Sequence, residues 1–353
     1  MEAVLHRLPE ALLPWYRQNR RELPWRQDKE PYHVWLSEIM LQQTRVEAVK
    51  GYYARFLETV PDISALANCD DEVLHKLWEG LGYYSRVRNL KKAAQVILAQ
   101  HNGVFPRDHA SVRALPGIGD YTAGAICSIC FDLPAPAVDG NVLRVISRLT
   151  DDATPIDSAA YKKQVQLALS KVYPAQAGDF TQALMELGAT VCGPNRKPDC
   201  AHCPCGSFCL GYARGTAEAL PVKNPKKARR QEDKTVFLLR CGDGYALQKR
   251  PESGLLAKLW QLPEVPGTLE ADALAVRLAE MGLKLKEIYR QTDKIHIFTH
   301  IQWNMRGFFV EVAEQTGSFA WLTAEQICQE VALPTAYKQF WDLWISEIKE
   351  EQS

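Results

Sequence analysis

Five of the ten cysteines fall between residues 192 and 209. Four of them, Cys192, Cys200, Cys203 and Cys209, read C-x7-C-x2-C-x5-C. Thiolates spaced this closely bind soft metals, and the spacing leaves zinc and an iron–sulfur cluster both open. The fifth, Cys205, is read as a bystander. Arg196 and Lys197, in the same loop, are candidates to face phosphates. A second stretch with chemical potential is LPGIG at 115–119. Gly117 and Gly119 allow positive φ without a Cβ clash. Such a turn leaves backbone N–H groups free at the start of the next helix, where the helix dipole reinforces them as an anion site. A plain interhelical turn is the competing reading, and the neighbouring Asp120 is unfavourable to an anion. The third stretch is VDGN at 138–141, where Asp139 stands immediately before a helical pattern. Taken alone, Asp139 or Asn141 would cap that helix.

These groups must be held by helices. Residues 1 to about 220 read as mostly α, with candidates at 34–49, 71–79, 86–99, 121–131, 141–149, 159–172 and 179–190. The separators are rich in Pro, Gly, Asp and Asn. Ala123, Gly124 and Ala125 are small enough for another backbone to approach closely. At 221–234 the text becomes PVKNPKKARRQEDK, six Lys or Arg against two acidic residues. That predicts a basic linker, either solvated or touching a phosphate backbone. Beyond it, TVFLLR and YALQKR flank CGDG as a hairpin, EADALAVRLAEMG is helical, and KEIYRQTDKIHIFTHIQW and MRGFFVEV read as strands. The expectation is a helical domain over 1–220, a linker over 221–234 and an α+β domain over 235–353.

The length of 353 residues fits two domains. Lys plus Arg and Asp plus Glu balance at 42 each, so net charge gives no support for nucleic-acid binding and local features must carry it. No apolar run approaches the ~20 residues of a membrane span, and the N-terminus lacks the order of a signal peptide. A cytosolic, reducing location is expected, which favours metal ligation over disulfides for the clustered cysteines.

Together the pieces resemble the endonuclease III superfamily of helix-hairpin-helix DNA glycosylases, and within it the adenine glycosylases. The stretches that carry the resemblance are LPWR (23–26), VWLSEIMLQQTRV (34–46), EGLGYYSRVRNL (79–90), LPGIGDYTAGAI (115–126), VDGNVLRV (138–145), the cysteine loop and a MutT-like C-terminal third. The resemblance implies a four-iron–four-sulfur cluster on Cys192, Cys200, Cys203 and Cys209. It departs from the family at one point, with seven residues in place of six between the first two cysteines. It implies a phosphate held at Gly117 and Gly119. It also implies double-stranded DNA as partner, with adenine opposite 8-oxoguanine or guanine, bound by a monomer and without a membrane.

The resemblance also assigns roles. Lyase members carry a lysine where Tyr121 stands, so base removal without lysine-driven strand cleavage is expected. Breaking the adenine C–N bond needs an acid for the leaving base and a negative group facing a cationic sugar. Glu38 is the implied acid. Val34 and Leu41 share its helix face, and burial there would raise its pKa. Asp139 is implied to stay ionised against the oxocarbenium ion, with Asn141 and Tyr121 hydrogen-bonded to Asp139 or to the base. Leu23, Trp25 and Arg26 would line the adenine pocket. Gln42, Gln43 and Tyr83 would contact the duplex around the opposite base. The C-terminal domain keeps only Glu280 of a metal-binding box, with Ala275, Val276 and Ala279 at the other positions. It is therefore expected to read 8-oxoguanine, through Phe298, Thr299 and His300, and not to hydrolyse nucleotides. A bifunctional glycosylase/lyase and a non-catalytic damaged-DNA sensor are the alternatives.

Overall fold

The computed structural model describes residues 1–194, 197–225 and 228–351, with side chains up to 346 in the last helix. Arg196 and two linker lysines, Lys226 and Lys227, lie outside the described residues. The chain forms two compact units. Met1–Cys69 with Arg88–Pro225 make the first, and Asp70–Val87 with Lys226–Ser353 make the second.

The first unit is helical. Apolar residues at three- and four-residue spacing give the helix Gly140–Thr150 one buried stripe, Val142, Val145, Ile146 and Leu149. It packs with Phe180, Leu184 and Leu187 of the helix Ala177–Thr190 and with Leu8 and Leu12 near the N-terminus. The helix expected over 34–49 is two helices, Pro31–Met40 and Val46–Thr59. Between them Gln43 takes a left-handed φ of 60°, so the polar run Gln42-Gln43-Thr44 turns the chain where periodicity alone would continue it. The other helical expectations are met to within a few residues, as Asp71–Leu77, Ser85–His101, Asp120–Phe131, Gly140–Thr150, Ala159–Ser170 and Ala177–Thr190.

The second unit is built on strands β1 (Arg230–Cys241), β2 (Gly244–Lys249), β3 (Trp260–Gln261), β4 (Glu264–Pro266), β5 (Leu285–Ile297), β6 (Ile301–Val312) and β7 (Ala320–Thr323). The main path runs β3-β2-β1-β6-β5, with β4 on β1 and β7 on β2. Successive side chains of β1 go to opposite faces. Val236 and Leu238 pack with Tyr337, Phe340, Trp341 and Trp344 of the last helix, whereas Phe237 and Leu239 pack with Leu274 and Leu278. CGDG makes the expected hairpin turn, with Gly242 at φ 59°. Two expectations are corrected. Residues 230–234 are strand and not linker, because they pair in parallel with 301–305 of β6. The stretch read as one strand, KEIYRQTDKIHIFTHIQW, folds back at 298–300 into the β5–β6 hairpin.

Residues 70–87 belong with this unit through specific bonds. Lys76 Nζ donates to the Val331 carbonyl at 2.9 Å, Glu72 takes Lys249 Nζ at 2.5 Å and Trp260 Nε1 at 3.0 Å, and Glu79 accepts from the Leu333 amide at 3.1 Å. Nothing in the sequence of 70–87 announced that association. No described helix is long and apolar enough to cross a membrane.

Candidate functional site

A cavity of about 220 Å³ in the first unit is lined by Leu23, Trp25, Arg26, Glu38, Tyr121, Asp139 and Asn141, together with Arg21, Leu41, Thr44 and Met185. Seven residues singled out from four separate stretches of sequence therefore meet at one hollow. Glu38 sits near the C-terminal end of Pro31–Met40 and is 6 % exposed. Burial pushes its carboxyl up to about 7, helped by the charge of Asp139 and opposed by the Tyr121 hydrogen bond and by Arg26. Tyr121, in the first turn of Asp120–Phe131, donates its hydroxyl to Glu38 Oε2 at 2.7 Å. Its bond thus goes to Glu38 and not to Asp139, one of the two partners the sequence suggested. Burial, then the charges of Glu38 and Asp139, raise the phenol well above its ordinary value, so it remains a donor.

Asp139 caps Gly140–Thr150. Its Oδ1 accepts from the amides of Asn141 (2.9 Å) and Val142 (2.8 Å), and its Oδ2 accepts from Asn141 Nδ2 (2.7 Å). The cap reading and the chemical reading therefore coexist. The bonds that end the helix also fix the carboxylate at the cavity wall, where three donors complement its charge.

Glu186 was not foreseen. It is fully buried on Ala177–Thr190 and receives Arg21 Nε at 2.6 Å and Arg26 Nη2 at 2.8 Å. Burial alone would raise its carboxyl, but the Arg21 hydrogen bond and the Arg26 charge outweigh it and hold it below the usual value. The pair of arginines is thereby pinned to the cavity wall. The available signal was a lone acid inside the apolar run ALMELGA. Trp25 packs edge-on against Tyr53 at 5.6 Å, which fixes its ring.

The turn at 115–119 joins the helices His109–Ala114 and Asp120–Phe131. Gly117 has φ 76°, and a Cβ there would meet Asn89 Cβ at 2.6 Å. Gly119 does not need its freedom, since it is an N-cap with φ −93°. Its value is the lack of a side chain over the helix start. Asp120 pairs with Arg113 at 2.5 Å, which offsets the charge that would repel an anion. Gln42 lies in the break after Met40, with Nε2 3.5 Å from Thr122 Oγ1, and the exposed Gln43 follows it.

Cys192, Cys200, Cys203 and Cys209 line a second, smaller cavity with Arg148, while the fully buried Cys205 does not reach it. Arg148 Nη1 donates to Cys192 Sγ at 3.3 Å and to the Cys192 and Gly193 carbonyls at 3.1 Å each. Among the described residues no three His, Cys, Asp or Glu side chains converge closely enough for a single metal ion. Lys197 pairs with Glu218 at 3.2 Å.

In the second unit, Phe298, Thr299 and His300 form the tip of the β5–β6 hairpin. Phe298 packs on Trp303 at 4.8 Å and His296 at 4.5 Å, which leaves Thr299 and His300 exposed. Tyr83 of LGYYSR takes φ 48°, unusual for a bulky residue. Its hydroxyl lies 2.7 Å from Thr299 Oγ1. Glu280 ends the short helix Leu274–Glu280 in an ion pair with Arg277 at 2.6 Å.

Residues 36–174 match the HhH-GPD superfamily base excision DNA repair protein family, and residues 235–343 match the NUDIX domain. The chain is 37 % identical to an adenine DNA glycosylase of Mus musculus, over 94 % of this chain and 77 % of that protein. It is 34 % identical to one of Homo sapiens, over 93 % and 72 %. It is 33 % identical to one of Buchnera aphidicola, over 82 % and 83 %. Among solved structures, a thermostable thymine-DNA glycosylase superposes with a TM-score of 0.52 at 28 % identity, covering 58 % of this chain and 94 % of its own. An endonuclease III trapped on DNA superposes with a TM-score of 0.52 at 22 % identity, covering 61 % and 98 %, a likeness of fold. The protein is an adenine DNA repair glycosylase, and the chain belongs to the adenine DNA glycosylase family.

Proposed function

We propose that the enzyme excises adenine opposite 8-oxoguanine or guanine in duplex DNA by acid-assisted hydrolysis, with Glu38 as the acid and Asp139 as the stabilising carboxylate. The observation that carries this reading is that both groups line one cavity, Glu38 buried with its carboxyl pushed up to about 7. Leu23, Trp25 and Arg26 wall the space for an extruded base, and Glu186 holds Arg26 in place. Glu38 donates its proton to a ring nitrogen of adenine as the bond to C1′ breaks. Asp139 faces the cationic sugar, Asn141 fixes that carboxylate, and water adds at C1′, its released proton restoring the Glu38 carboxyl. Tyr121 orients Glu38 through its hydroxyl and, having no amine, forms no Schiff base.

The same reading gives the phosphate backbone to the turn at Gly117 and Gly119, duplex contacts to Gln42, Gln43 and Tyr83, and the opposite lesion to Phe298, Thr299 and His300. The excision chemistry thus falls within residues 1–220 and the lesion reading within 235–353, apart from the duplex contact at Tyr83, which belongs to the second unit. The cysteine loop fits the iron–sulfur cluster that the family resemblance implies. Cys192, Cys200, Cys203 and Cys209 line one small cavity, and four thiols with no other ligand type among them are the donor set such a cluster takes. When bound, the cluster would cross-link Cys192, Cys200, Cys203 and Cys209 and so order the loop.

The test is a duplex with adenine opposite 8-oxoguanine, scored with and without alkali. Strand breaks that need alkali support base removal alone, while breaks without alkali favour a lyase. Glu38→Gln and Asp139→Asn are each expected to bind this duplex yet excise adenine at least about a hundredfold more slowly. Near-normal excision by either variant refutes the assignment.

A further inference from the structure

The three segments that present Tyr121, Asp139 and Glu186 are tied together by a largely buried line of hydroxyls. The Ala137 amide donates to Tyr173 Oη at 3.4 Å. Tyr173 Oη lies 2.9 Å from Thr181 Oγ1. Thr181 donates to Ser128 Oγ at 2.8 Å, and Ser128 donates to the Gly124 carbonyl at 2.7 Å. Because the Thr181 proton is used on Ser128, Tyr173 must donate to Thr181, so every hydroxyl in the line gives one bond and takes one. Ser128 and Thr181 are buried, and the Tyr173 ring stands edge-on to Phe180 at 5.0 Å.

The line begins and ends on backbone. One end is helix Asp120–Phe131, three residues past Tyr121. The other is Ala137, two residues before Asp139, and Thr181 joins both to the helix that carries Glu186. Packing leaves no slack beside it, since a Cβ on Gly124 would collide with the Pro136 carbonyl and one on Gly178 would meet the Ser128 carbonyl at 2.9 Å. A directed chain of hydrogen bonds shielded from solvent over most of its length is cooperative and geometrically strict.

We infer that Tyr173, with Thr181 and Ser128, is a positioning residue for adenine excision, because this hydroxyl chain sets where Asp139 stands relative to the Tyr121–Glu38 pair. The inference rests on the proposed roles of Glu38 and Asp139. It makes no demand on DNA contact, since none of the three hydroxyls lines the excision cavity.

The experiment measures single-turnover adenine excision from the 8-oxoguanine duplex across pH, with the full chain carrying its native metal content. Tyr173→Phe and Thr181→Val should each slow excision about tenfold, with duplex binding unchanged. Thr181→Ser, which keeps the hydroxyl, should stay close to the parent rate, and Tyr173→Phe/Thr181→Val should be no slower than the slower single variant. The pH profile supplies a readout that looser packing would not move. The charge of Asp139 raises the Glu38 carboxyl, while Tyr121 and Arg26 are the other charged or titratable groups acting on it. A displaced Asp139 should therefore shift the high-pH fall in rate to lower pH. Parent-like rates in Tyr173→Phe and Thr181→Val overturn the inference. So does a Thr181→Ser variant as slow as Thr181→Val, or slowing with an unmoved pH profile. If Tyr173→Phe does not fold, the two Thr181 variants decide alone. Glu38→Gln runs alongside. If it excises normally the mechanism itself fails, whereas a dead Glu38→Gln beside normal hydroxyl variants sinks only this inference.

Discussion

Glu38 works by being uncomfortable. Its raised carboxyl means that the folded state holds the proton more tightly than the unfolded state, whose value stays near the ordinary 4.5. Below that value both states are protonated. As pH rises from there through about 7, the unfolded chain ionises first and folding loses stability, by about 3 kcal/mol at most. Glu38→Gln removes this cost. Its thermal melt should match that of the parent at about pH 4, below the unfolded value, and exceed it at about pH 8, and equal melts at the higher pH would show that the carboxyl is not held protonated by burial. The same titration predicts that single-turnover excision falls above about pH 7, where the acid loses its proton. At this scale the sequence was legible where a side chain's surroundings are local. Val34 and Leu41 announced an apolar face for Glu38, and VDGN announced a cap at Asp139. The clamp of Arg21 and Arg26 on Glu186 was not legible, because its partners stand 165 and 160 residues apart along the chain.

Among the elements, the cysteine loop and the helix ends carry the site. The loop's four cavity-lining thiols and the excluded Cys205 give a sharp contrast. Cys203→Ser should lose the visible chromophore of an iron–sulfur protein and destabilise the loop. Cys205→Ala should keep the chromophore at a modest cost in packing, and loss of the chromophore in Cys205→Ala would reverse the ligand assignment. Helix boundaries show where pattern reading stops. The apolar periodicity of 34–49 is real, yet Gln43 at φ 60° divides it, and the break sends Leu41 and Thr44 to the cavity wall. Likewise FTH reads as strand by composition, but the antiparallel register of β5 and β6 makes it a turn tip. Local propensity is weak beside such pairing.

On the scale of the whole molecule, residues 70–87 leave the unit that surrounds them in sequence and pack with the C-terminal one. A chain cut after Pro225 would strip Lys76, Glu72 and Glu79 of their bonds to Val331, Lys249, Trp260 and Leu333. Hydrogen exchange in 70–87 should therefore rise sharply in the truncated chain while the helix Gly140–Thr150 stays protected. Equal protection of 70–87 in both forms would show that the segment is stable without those partners. The point matters for function because Tyr83 belongs to this segment and meets Thr299 at the hairpin tip. Two stretches assigned separately to the lesion strand are thus held by one body.

The sequence by itself determined the kinds of chemistry present: two acids, a glycine turn, a run of clustered thiols and an α+β C-terminal third. It could do so because motifs, caps and periodicities are encoded within a few residues of one another. Only the tertiary structure decided which of those groups meet, that Tyr121 bonds Glu38, that Glu186 anchors two arginines, and that a line of hydroxyls joins two helices to the loop before Asp139. Those outcomes depend on contacts between distant segments, whose geometry is set by packing of the whole core and is written in no single stretch of the chain.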